Sequence, residues 1–152
     1  MKIRPAAFEA HLGTYALILK LNRARTVSIG GLNAVDFSAG YYIYIGSAFG
    51  PGGLQARLGR HITRDKPSRW HIDYLRRFAE LVEIWYTWHP EKEECLWAEV
   101  IRQTRRARIP CPGFGASDCR GNTHLFHFQR KPGISTFRRK VKMPVRLKGM
   151  QF

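Results

Sequence analysis

The chain has no apolar run near the roughly 20 residues that a membrane-crossing helix requires. Its start, MKIRPAAFEAHLGTY, carries no apolar core of a secretion signal. A membrane span and a secreted product are both disfavoured, and a soluble cytoplasmic protein, nucleoid-associated if bound to DNA, is the expectation. Cysteine is scarce and odd in number: Cys95, Cys111 and Cys119 are all there is. So sparse a set does not read as a disulfide framework and fits a reducing compartment, with Cys95 and Cys111 expected as ordinary buried thiols. Acidic residues are the third shortage. Against 26 Lys+Arg stand 11 Asp+Glu, a formal net charge of +15. A small domain this basic repels itself, which calls for a polyanionic partner. DNA, with RNA as the alternative, is the commonest such partner, because each neutralised phosphate releases a counterion. No internal repeat is present.

What the chain does have is the patterning of a folded domain. Its 152 residues suit one core, and 44% apolar and 12% aromatic residues are globular values. GTYALILKL (13–21) and GYYIYIGSA (40–48) read as buried strands, with TVSIGGLNAVDF between them as a short strand and a glycine turn. FGPGG (49–53) must be a loop. A helix follows, opened by Leu54 and Leu58 and running to about Ile62. A second is expected over 67–80, with Ser68 as its cap and Trp70, Tyr74 and Phe78 on one stripe. LVEIWYTW (81–88) reads as a strand and 91–108 as a helix, acidic at its start and basic at its end. The loop 109–121 precedes a short strand HLFHF, and from Gln129 the basic chain reads as an extended or disordered arm. The expected class is α+β, in layers: a small central mixed sheet flanked by helices, with domain 1–128 and arm 129–152.

Helical spacing puts Arg57 and His61 on one rim of the Leu54–Leu58 stripe. They read either as a snorkelling basic face or as groups held over a strand end. Glu94 shares a stripe with Trp97, Ala98 and Ile101. A carboxylate there needs a cation or metal beside it, unless it only complements the helix dipole. His71 and Asp73 stand two residues apart and cannot face the same way on a helix. The four tryptophans read as packing rather than as stacking platforms.

GTY (13–15), YIG (44–46), LQARLGRH and a glutamate on a later helix, in that order, resemble the GIY-YIG nuclease superfamily. Together with WHIDYL, the EC of the later helix and PGFGASDC…HLF, they are most similar to its Uri-type branch, which occurs alone or fused to DNA glycosylases of the helix-hairpin-helix class. The resemblance covers about the first 128 residues. It implies a DNA endonuclease with one divalent metal, Mg²⁺ or Mn²⁺, held by Glu94. Tyr15 would take the proton of the attacking water or orient it, and Tyr44 would bond the phosphate or the water. Arg57 would neutralise the charge growing on the phosphate, His61 would position water or phosphate, and Gly13 and Gly46 would allow close approach. Unaided, a phenol titrating near 10 is a reluctant base.

The chain departs from that pattern at Ser47, where many members carry lysine. Arg106 stands where an asparagine is common, and Asn122 is too distant to equate. SDCRG lacks the second cysteine of related domains, which disfavours zinc on Cys111, Asp118, Cys119 and His124. Arg60, Arg106, Arg130, Lys131, Arg138, Arg139 and Lys140 are the expected nucleic-acid contacts, to phosphates rather than bases. A catalytically silent DNA- or RNA-binding module is the alternative function. A scaffold using only its basic arm is a third.

Overall fold

The computed structural model describes residues 8–115, 119 and 123–150. In chain order the strands and helices are β1 (Gly13–Leu21), β2 (Arg25–Ser28), β3 (Ala34–Phe37), β4 (Gly40–Ala48), α1 (Gly53–Ile62), α2 (His71–Arg76), β5 (Glu80–Thr87), α3 (Glu94–Arg102), β6 (Leu125–Phe128), α4 (Ile134–Val141) and β7 (Arg146–Gly149). β2 and β3 form a separate hairpin closed through a single 3-10 turn, Gly30–Leu32. The main sheet runs β6-β4-β1-β5-β7, and every ladder in it is antiparallel. The class is α+β as expected, with an antiparallel rather than a mixed sheet. Among the described residues no helix is long and apolar enough to cross a membrane.

The two central strands fall on the residues that their apolar runs mark, and alternation along them builds two cores. On one face Tyr15, Leu17 and Leu19 of β1 and Tyr42 and Tyr44 of β4 pack with Leu54 and Leu58 of α1 and Ile72 and Leu75 of α2. On the other, Ala16, Ile18, Ile43 and Ile45 meet Trp97, Ala98 and Ile101 of α3 and Phe137 and Val141 of α4. A sheet covered on both faces needs continuous apolar strands, which is what β1 and β4 are.

Helix ends are where the structure departs most from the sequence expectations. The helix expected over 67–80 is one short turn set, His71–Arg76, because Trp70 is extended (φ −105°, ψ 160°). Its cap is not Ser68. The Asp73 carboxylate accepts from the Arg69 and Trp70 amides at 2.9 Å each, satisfying donors left free at the helix start. Phe78 lies outside the helix with the Arg25 guanidinium 3.7 Å over its ring. Buried Arg76 donates to the carbonyls of His61 (3.2 Å) and Ala79 (2.9 Å), closing the C-terminal end of α1 onto α2. Burial pulls its pKa down to about 10. Gly52, at φ 81°, turns the loop into α1 through a conformation that glycine adopts without strain.

Two expectations are corrected outright. Cys95 is bonded to Cys119, so it is not a free thiol, and Cys111 alone remains free and buried. Parity misleads here because one cysteine sits in the core while the other two meet across 24 positions. Cysteine usage therefore no longer argues for a reducing compartment. The segment after residue 128 is not an extended arm: it forms α4 and then β7, which pairs with β5. Phe137, Val141 and Val145 are buried, and Arg138 donates from Nε to the Val145 carbonyl at 2.9 Å. Three apolar residues among many basic ones are enough to dock the segment. Phe137→Ala is expected to cost about 3–5 kcal/mol in chemical denaturation, a loss that an undocked arm would not show.

Candidate active site

Tyr15 stands opposite Gly46 in the β1–β4 ladder, and that pairing makes the site. A Cβ on Gly46 would lie 2.4 Å from the Tyr15 phenol, so only glycine leaves the ring its place. Gly13 meets a similar limit, because a Cβ there would fall 2.1 Å from the Thr87 carbonyl oxygen. Both are close-approach glycines, as the resemblance implied. The Tyr15 hydroxyl then reaches His61 Nε2 at 2.6 Å, a buried contact between residues 46 positions apart. His61 is ringed by aromatics, with Tyr15, Trp70 and Tyr44 centroids 5.2, 5.8 and 6.1 Å away.

Burial sets the protonation states. His61 has its pKa pushed down to about 3, chiefly by desolvation, and is neutral. Tyr15 is raised well above the ordinary phenol value, first by desolvation and then by Tyr44, with the nearby Arg57 opposing and Glu94 adding to the rise. Tyr44 is raised by desolvation and by Glu94, again against Arg57. Both phenols are therefore protonated in the free protein. His61 Nδ1 is buried without a hydrogen-bond partner among the described residues.

Arg57 and Glu94 approach this pocket from different layers. Arg57 projects from α1, its guanidinium 4.5 Å from the centre of the Trp70 ring, and lines an open cleft of about 250 Å³ with Arg60, Arg69, Trp70 and the Gly50–Pro51 turn. Glu94 opens α3, whose apolar stripe packs on the opposite face. Yet its carboxylate acts on both phenols, so it stands at the end of the sheet rather than behind it. Two tethers hold it there: the Glu93 amide donates to Thr14 Oγ1 at 3.2 Å, and Cys95 is bonded to Cys119. His124 bridges the two, with Nδ1 3.7 Å from Glu94 Oε2 and Nε2 3.0 Å from Cys119 Sγ. Tyr15, Tyr44, Arg57, His61 and Glu94 are thus gathered at one end of the sheet.

The donor set suits a hard divalent cation. Glu94 is a partly exposed carboxylate, 19% accessible, close enough to act on the Tyr15 and Tyr44 phenols. One carboxylate with a few oxygens and solvent is the habit of Mg²⁺. His89, Glu91 and Glu93 form another grouping, at the exposed turn before α3. Zinc on the cysteines finds no support: Cys119 is in the disulfide and Cys111 packs in the core. Asp118 and Asn122 lie outside the described residues.

The other expected contacts scatter. Arg60 pairs with Asp73 at 2.6 Å and is 4.6 Å from the Trp70 ring centre. That pairing, with the capping amides, outweighs burial and holds the Asp73 carboxyl below the usual range. Lys131 pairs with Glu83 at 2.8 Å, Arg138 serves the backbone, and Arg139 contacts Thr136. Arg106, Arg130 and Lys140 line a separate groove. His71 Nδ1 accepts the Gly115 amide at 3.0 Å, so both WHIDYL polar residues do structural work. Sequence reasoning missed Trp70 as a wall of the cleft, because its helical spacing pointed to a core. It also missed Thr14 and Arg76, whose roles carry no local signal.

Two measurements test this geometry. Gly46→Ala is expected to lower stability by about 1–3 kcal/mol through overpacking against Tyr15, read by thermal melting. His61 adds a pH dependence of definite sign. Its folded pKa is depressed, so the unfolded chain takes the proton first as pH falls below about 6.5. Stability conferred by neutral His61 is whole above that value and declines toward pH 3, at about 1.4 kcal/mol per pH unit. The difference between wild type and His61→Gln across that window should show this slope.

Residues 14–145 match one family, described as Domain of unknown function DUF123. No curated protein and no solved structure matches the chain.

Proposed function

The chain belongs to the DUF123 family, and from the geometry of its site we propose that it is a divalent-metal-dependent nuclease hydrolysing phosphodiester bonds in DNA. The observation that carries the reading is the buried Tyr15–His61 contact, 2.6 Å long, with Arg57 and Glu94 both acting on the same phenol. The resemblance to GIY-YIG nucleases supports it, since the five residues that resemblance implied are those gathered at one end of the sheet.

The division of labour follows from the protonation states. A protonated Tyr15 does not act as a phenolate. Its oxygen accepts a proton from water only as its own proton passes to His61 Nε2, which lies in place to receive it. Neutral His61 can take that proton, and a bound phosphate raises its basicity by favouring the imidazolium. Tyr44 donates its hydroxyl proton to a phosphate oxygen or to the water. Arg57, its guanidinium stacked on Trp70, sets a permanent positive charge where the phosphoryl oxygens gather charge. Glu94 would hold the Mg²⁺ or Mn²⁺, which supplies Lewis-acid stabilisation of the departing oxygen.

The second reading is a nucleic-acid-binding module without catalysis, on the same fold and charge. Ser47, standing where many nucleases carry lysine, favours it, as do the raised phenol pKa values.

Nicking of supercoiled plasmid by the purified full chain separates the two. With Mg²⁺ or Mn²⁺ the wild type is expected to nick. Glu94→Gln and Arg57→Ala should each lose about a hundredfold or more in rate, while DNA binding by Glu94→Gln persists. Equal cutting by both variants would remove the assignment. Binding without cutting by the wild type, over a range of DNA forms and metals, would leave the binding module.

A further inference from the structure

A concavity of about 700 Å³ lies away from the tyrosine pocket. It is a groove between the turn after α3, the end of β6 and the start of α4, and it is lined by Arg105, Arg106, Arg108, Arg130 and Lys140 without a single acid. All five side chains are exposed, and among the described residues none of them forms an ion pair. That sets them apart from Arg60, Lys131 and Arg102, each of which is paired with a carboxylate. Five cations converging on one groove repel one another, a cost that folding alone gives no reason to keep. Arg106 adds a second oddity. It sits at φ 72°, a conformation where glycine or asparagine is less strained, and that turn sets an arginine on the groove wall.

We propose that this groove is a second nucleic-acid contact, binding the phosphate backbone of a duplex outside the catalytic cleft. Its lining favours a duplex over a single strand. The aromatic groups there, Phe128 and His127, are buried, so no ring is offered for unstacked bases. Five cations with no carboxylate among them fit phosphates, and Gln129 is the single side-chain amide in the lining, too little for a base readout. An acidic protein surface would match the charge too, but the groove offers it no exposed apolar anchor. Position makes the groove distinct. β6 ends beside Tyr41, while the cleft lies past Ala48 at the other end of β4. At about 3.3 Å per residue the two are roughly 20–25 Å apart along the strand. The inference rests on nucleic acid being the substrate, and goes beyond it in naming the surface and the form bound.

The test is anisotropy of a labelled 20-base-pair DNA duplex against the full chain, in EDTA, over a salt series. Removing metal keeps the outcome independent of whether the protein cuts. Replacing Arg105, Arg130 and Lys140 by Gln and Arg106 by Asn should flatten the plot of log affinity against log salt by about 0.9 for each phosphate that is no longer neutralised. At about 0.1 M salt the affinity should fall about a hundredfold or more. Should the quadruple variant not fold, Arg105→Gln and Arg130→Gln singly should each flatten the slope by about 0.9. A control replacing Lys20, Arg23 and Arg77 by Gln should bind nearly as wild type. An unchanged slope in the groove variants, an equal loss in the control, tighter binding of the matching single strand, or displacement by polyglutamate at equal charge would each overturn the proposal. If groove variants lose the duplex while no metal yields cleavage, the groove stands and the nuclease reading falls.

Discussion

The structure turns on one register, that of β1 against β4, which sets Tyr15 across from Gly46. A slip by one residue would send both tyrosines to the opposite face and replace them with Ala16 and Ile45. Gly46 then has to stay without a side chain, because the Tyr15 ring occupies the space. The other candidate site residues are positioned relative to that pair. α1 packs Leu54 and Leu58 on the same face, which delivers His61 to the phenol and leaves Arg57 at the rim. Arg76 holds the last turn of α1 by its carbonyls, so the histidine is fixed from behind as well.

Electrostatics then decides what the pocket can do. Two phenols and an imidazole are buried as neutral groups: burial outweighs the field of Arg57 at the phenols, and at the imidazole it acts in the same direction as Arg57 and Arg60. The same burial that keeps them uncharged makes a proton shift between Tyr15 and His61 short and dry. Glu94 pushes both phenols further toward protonation while it is uncompensated. A cation bound on that carboxylate would reverse the sign of its influence on the phenols.

The large positive charge resolves into three populations. Some cations are structural: Arg60 on Asp73, Lys131 on Glu83, and Arg76 and Arg138 on backbone carbonyls. Arg57 stacks on an indole in the cleft. Arg105, Arg106, Arg108, Arg130 and Lys140 line the groove around the C-terminal helix. Net charge alone treats these as equal, and only the position of each carboxylate and carbonyl tells them apart.

The longer strands were legible in the sequence, but β3 and β7 were not, one falling in an expected turn and the other in an expected arm. The apolar runs at 13–21 and 40–48 carry their own period, and the ordered motifs around Tyr15, Tyr44, Arg57, His61 and Glu94 point to one pocket. Helix limits were less so, since Asp73 rather than Ser68 caps α2 and a single extended residue, Trp70, shortens it. Tertiary structure alone decided that the basic C-terminal segment docks on Phe137 and Val141, that Cys95 meets Cys119, and which arginines stay unpaired. The reason is range. Periodicity and turn chemistry are written between neighbours a few residues apart, whereas docking, cross-linking and charge pairing depend on partners that only the completed sheet brings together.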